Sequence, residues 1–156
     1  MDSSSLQGTY FGLTEGTVTT IGIIIGMMAS LSTKKTIFSA VIAATLSDSF
    51  GDSIGIYYSE EARGGKEAIN AVKNMVTYKL LISFLYLIPL MLIKELKTGV
   101  YISILIALLV IIKSFHYLAT IKKIDPTEFI IKNTLTITMV IIATYYIVGM
   151  VERFMK

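Results

Sequence analysis

Residues 99–121 read GVYISILIALLVIIKSFHYLATI, an apolar run interrupted by a single charge, Lys113. A helix rises ~1.5 Å per residue, so ~20 apolar residues cross the ~30 Å hydrocarbon core of a bilayer. The run is continuous and does not alternate apolar with polar, as a barrel strand would, so only a helix satisfies its backbone in lipid. Working outward, four more stretches have the same character: Tyr10–Leu31, Thr36–Tyr58, Val76–Ile93 and Phe129–Val151. The expected fold is an all-α integral membrane protein, with residues 1–156 forming one transmembrane domain of five helices.

Composition leads to the same class. Of 156 residues, 54% are hydrophobic and 16% charged, against ~45–50% and ~25% in soluble domains. A small soluble domain has too little interior to hide that excess, and a disordered chain is far more polar. With no Cys and one His, disulfides, thiol chemistry and a polyhistidine cage are excluded. The net charge of +3 comes from Lys and Arg at span ends, so it reads as a topology signal and implies no nucleic-acid partner.

The connections are short. Ser32-Thr33-Lys34-Lys35 joins the first two spans as an antiparallel hairpin, and Lys94–Thr98 joins the third and fourth. Asp125 reads as the N-cap of the fifth helix, Pro126 as its first residue and Glu128 as the capping-box acid. Ser59–Met75 is the longest linker, broken at Gly64-Gly65, with a short surface helix expected over Lys66–Met75. Arg63, Lys66, Lys73, Lys79, Lys113, Lys122, Lys123 and Lys132 fall on one side; Lys34, Lys35, Lys94, Lys97, Arg153 and Lys156 fall on the other. The excess puts the N-terminus in the cytoplasm, in a cell or organelle membrane. The N-terminus has no basic n-region, and Glu15 interrupts the apolar run early, which argues against a cleaved signal peptide.

The acids inside the spans carry the functional information. Glu15 lies in the first span, and Asp48 and Asp52 in the second. Charged side chains at this depth are costly, so they point to function. Asp48 and Asp52 are four residues apart and share a helix face. Counted from the span ends, Glu15 is ~7 Å deep, Asp52 ~9 Å and Asp48 ~15 Å, so an antiparallel hairpin brings all three to one level. The stripe Glu15, Thr19, Gly22, Gly26 and the stripe Ser47, Gly51, Gly55 are expected to let the two helices approach closely. Gathered carboxylates suit a divalent metal cation and also carry protons. The plainer alternative is a set of acids that hydrogen-bond helices together.

Other residues carry less. Met27 and Met28 read as packing, and His116 as an interfacial hydrogen-bonding residue. Lys113 either snorkels to the interface or serves as a counter-charge for Asp52. Thr19, Ser47, Gly51 and Lys113 are therefore candidate pathway or supporting residues. Glu60, Glu61 and Glu67 read as a solvated loop, and Pro89 as a kink. No phosphate loop, nucleophile elbow or zinc-type His pair is present, so no enzymatic activity is expected.

Two runs bear a resemblance. Leu13-Thr14-Glu15-Gly16-Thr17-Val18-Thr19-Thr20 resembles the opening of the first helix of the vacuolar iron transporter family, and Leu46–Ser59 resembles its second helix. The resemblance covers the first ~65 residues by motif and the rest by the number and order of spans. It implies a homodimeric, proton-coupled transporter that moves Fe²⁺ or Mn²⁺ out of the cytosol along a path lined by the first two helices of both subunits. By position, Glu15 matches the family's first-helix acid and Asp48 its second-helix acid. Asp52 stands where the family often has Met, which shifts preference toward harder cations. Ser59–Met75 is too short for the Glu-rich insert of several family members. A membrane scaffold whose acids meet basic or amide partners, with Lys113 and Asn133 as candidates, and a small cation or proton channel are the other functions considered.

Overall fold

The computed structural model describes residues 3–64 and 67–155. Among them are five helices: α1 (Ser3–Ala29), α2 (Lys34–Ala62), α3 (Ala68–Leu92), α4 (Leu96–Lys122) and α5 (Pro126–Phe154). Their ends follow local chemistry. The Thr33 hydroxyl caps α2 by accepting from the Thr36 amide at 3.2 Å. The Asp125 carboxylate accepts from the Thr127 amide at 2.8 Å, with Pro126 opening α5, as the sequence predicts. Gly64, just beyond α2, has φ +70°, a conformation without steric cost for glycine.

Four of the helices, α1, α3, α4 and α5, are long and apolar enough to cross a membrane. The expected second span, α2, has the length, at 29 residues. It is not among the four, because Asp48, Asp52 and the hydroxyls around them dilute its apolar character. A second departure concerns the linker. The short surface helix expected over Lys66–Met75 does not stand alone: from Ala68 onward those residues are the first turns of α3, which continues unbroken to Leu92. Lys66 itself and Gly65 of the expected break lie outside the described residues.

The centre of the molecule is the contact of α1 with α3, the most extensive between any two helices. Glycine makes it possible. A β-carbon on Gly8 would collide with the carbonyl oxygen of Ala71, and one on Gly12 with that of Met75. One on Gly16 would sit 3.1 Å from Lys79 Cα. The three glycines, four residues apart, form a groove that receives α3 with the two helices running in the same direction. Such close approach gains dispersion contacts, which drive association where the hydrophobic effect is absent. The stripes expected to do this lie elsewhere: no heavy atom comes within 4 Å of a β-carbon built on Gly22, Gly51 or Gly55, and Gly26 faces Thr144 and Val148 of α5.

Farther along the same seam the contact turns polar. Thr17 and Tyr86 share a hydrogen bond of 2.9 Å, and Thr20 and Ser83 one of 2.7 Å, all buried. Ser103 of α4 donates to the Tyr86 carbonyl at 2.7 Å. Ile21, Ile24, Ile37, Val41, Leu87 and Val100 enclose this seam. Met27 and Met28 pack against that core, as expected. The outermost helix is α5, which has no buried residue.

Candidate cation site: three carboxylates around Lys79

Glu15 of α1 and Asp48 and Asp52 of α2 do meet, and they meet on a lysine. Lys79 Nζ lies 2.6 Å from Asp52 Oδ2, 3.5 Å from Glu15 Oε1 and 3.8 Å from Asp48 Oδ2. Its side chain is 0% exposed, whereas those of Asp52, Glu15 and Asp48 are 24%, 27% and 40% exposed. The cluster thus has a closed side, formed by α3 and its lysine, and an open side, where the carboxylates face outward beside α2.

Local structure explains how each group arrives. Asp48 and Asp52 are one turn apart on α2 and project together. Thr19, one turn beyond Glu15 on α1, donates from its hydroxyl to Glu15 Oε1 at 2.8 Å and orients that carboxylate. Gly16, beside Glu15, has no side chain, and this leaves room for the lysine stem: a β-carbon there would lie 3.3 Å from Lys79 Cγ. Lys79 sits ~17 Å along α3 from its first residue.

Three carboxylates and one ammonium leave two negative charges uncompensated when all four groups are ionised. In a low-dielectric setting such an excess attracts cations. The cluster is nevertheless not a ready-made chelate. Among the described residues, no three His, Cys, Asp or Glu are placed to hold one metal ion. The ammonium stands among the acids and spaces them.

The remaining candidates divide. Ser47 and Gly51 are exposed on the outer face of α2, next to the acids and not between helices. Lys113 is exposed on α4, and the counter-charge for Asp52 is Lys79 in its place. Asn133 donates to the Phe129 carbonyl of its own helix. Glu60, expected in a solvated loop, is buried at the end of α2, where it accepts from the Ser4 hydroxyl and pairs with Arg63 at 3.6 Å. Glu61 and Glu67 are exposed, and so is His116.

Lys79 is the residue that sequence reasoning missed. It lies near the start of the run Val76–Ile93, where a basic residue reads as a marker of the membrane surface. The available signal was spacing: Ala71, Met75, Lys79, Ser83 form an i, i+4 series that matches Gly8, Gly12, Gly16, Thr20 on α1.

No family model, curated protein or solved structure matches this chain.

Proposed function

We propose that this protein is a proton-coupled transporter of a divalent metal cation, of the Fe²⁺ or Mn²⁺ class, that moves metal out of the cytosol. One observation carries the proposal: three carboxylates from two helices converge around one buried ammonium, with two negative charges in excess. A cluster serving only to hold helices together is best served by balanced pairs, because unpaired charge away from water is costly. Excess carboxylates that stay open on one side suit groups that alternately hold protons and a cation. The resemblance of the runs around Glu15 and Asp48 to the vacuolar iron transporter family supports the metal class, and Asp52 in the usual Met position favours a weak preference between Fe²⁺ and Mn²⁺.

The same reading makes α1 and α2 an antiparallel hairpin beside the path, the N-terminus cytoplasmic and the working unit a homodimer. In one chain Asp48 stays 40% exposed, beside the exposed Gly51 and Gly55 on the following turns of α2. Hydrocarbon is a poor environment for that carboxylate. A second copy packed on the same face across a two-fold axis covers it and doubles the acids along the path.

A second reading has its own support. A scaffold was expected to set a basic partner against the acids, and Lys79 meets that description, tying α1 and α2 to α3. Reconstituted vesicles separate the two: a panel of divalent ions is supplied, and metal uptake and luminal pH are followed together. Metal entry with opposite proton movement supports the transporter; no flux of any ion supports the scaffold.

A further inference from the structure

The acids are half open, but the lysine among them is fully enclosed, and that asymmetry limits how a cation can enter. Oxygen ligands approach a divalent metal to ~2.0–2.6 Å, closer than the 3.5 and 3.8 Å at which Glu15 and Asp48 face the Lys79 ammonium. A metal that takes the same three oxygens competes for them with the ammonium, which has all three within 3.8 Å. Two cations at that separation repel strongly in a low-dielectric site. The lysine stem is a flexible chain of four carbons that packs directly on the α1 backbone at Gly16, where a β-carbon would lie 3.3 Å from Lys79 Cγ.

We propose that Lys79 is a tethered cation that fills the cargo position in the empty carrier, so that a divalent metal reaches Asp52 only by displacing the Lys79 ammonium. This inference rests on the acid cluster being the cation path. It gives Lys79 two roles. The first is to weaken metal binding: the cargo must outcompete a cation already in place, which keeps release easy. The second is to select by valence. A monovalent ion brings no more charge than the ammonium and lacks its tether, whereas a divalent ion brings twice the charge and wins the carboxylates. The tether also couples binding to packing, because giving up Asp52 removes an ion pair between α3 and α2 while Glu15 and Asp48 turn to the metal.

The test is Mn²⁺ binding to the purified full-length protein, read from the loss of the free-ion paramagnetic resonance signal. Wild type is compared with Lys79→Met and Lys79→Arg, with Asp48→Asn and Glu15→Gln as controls. Lys79→Met is expected to bind Mn²⁺ roughly tenfold more tightly than wild type, and Na⁺ is expected to compete in that variant only. Lys79→Arg, which keeps the cation, stays near wild type. If Lys79→Met binds no more tightly while Asp48→Asn abolishes binding, the acids are the cation path and the displacement proposal is overturned. If Asp48→Asn and Glu15→Gln leave wild-type binding unchanged, the path itself is wrong and the proposal falls with it. A measurement on wild type alone covers the case in which Lys79→Met does not fold. Acetylation of Lys79, followed by mass spectrometry, should rise several-fold when Mn²⁺ is bound; an unchanged rate under saturating Mn²⁺ overturns displacement.

Discussion

Lys79 on α3 and Asp52 on α2 are joined by a 2.6 Å contact in which the lysine is wholly buried and the aspartate is open on its far side. The two ends of this pair differ in what their loss leaves behind. Removing the Asp52 carboxylate leaves a buried ammonium with only the longer contacts to Glu15 and Asp48; removing the ammonium leaves acids that still reach their surroundings.

Stability should therefore rank the acids by distance to Lys79. Asp52→Asn is expected to destabilise by about 1–3 kcal/mol, the range for leaving a buried charge short of a hydrogen-bonding partner. Asp48→Asn should cost less than ~1 kcal/mol, because at 3.8 Å Asp48 makes the longest of the three contacts with Lys79. Thermal unfolding of both variants in one detergent checks the order. Equal losses, or the reverse order, would show that Asp52 is not the principal anchor of Lys79.

Close approach of α1 and α3 is tested with glycine substitutions. Gly12→Ala places a methyl group against the Met75 carbonyl and should lower stability by about 1–3 kcal/mol through overpacking. Gly149→Ala, where no atom lies within 4 Å of the new carbon, should be neutral or stabilising by up to ~1 kcal/mol from helix propensity. The melting temperature should fall for Gly12→Ala and stay level or rise for Gly149→Ala; a fall in both would contradict the close-approach account.

Much of this architecture is readable in the sequence. The apolar runs locate all five helices, four of them apolar enough to span a membrane, Asp125-Pro126 marks the start of α5, and the spacing of Glu15, Asp48 and Asp52 brings them to one level. Two features escape because hydropathy measures exposure to lipid and not contact between helices. The first turns of α3 carry Asn70, Lys73 and Asn74, so they read as a surface segment, yet Ala71 and Met75 on the same turns are buried against α1. Once that start is misplaced, Lys79 falls at a span end instead of three turns inside a helix. Gly8 lies before the first apolar run and outside the expected stripes, whereas the more visible Gly51 and Gly55 face outward.

The paired hydroxyls beyond the cluster should behave cooperatively. Thr20→Val leaves the buried Ser83 hydroxyl without its 2.7 Å partner and should cost about 0.5–1.5 kcal/mol. The double variant Thr20→Val/Ser83→Ala should cost less than the sum of the single variants, because no partner is stranded. Unfolding of the four proteins of this cycle measures the coupling; strict additivity would mean that the two hydroxyls do not depend on each other.

If the cluster is the metal path as proposed, selectivity should depend on Asp52. Replacing it by Met exchanges a hard oxygen for a soft thioether. Asp52→Met vesicles should show a several-fold higher ratio of Cd²⁺ to Mn²⁺ uptake than wild type while retaining some Mn²⁺ flux. An unchanged ratio would remove Asp52 from the ligand set.

The most direct test of the central claim is Mn²⁺ flux into vesicles under an imposed pH gradient, with wild type beside Asp48→Asn and Glu15→Gln. These substitutions remove charge but keep a polar amide of similar size, which helix interfaces tolerate. The account predicts Mn²⁺ uptake driven by the gradient in wild type and its loss in both variants, with the fold retained. Normal flux in both variants, with the same dependence on the gradient, would contradict it and leave the three carboxylates and Lys79 as a structural clasp.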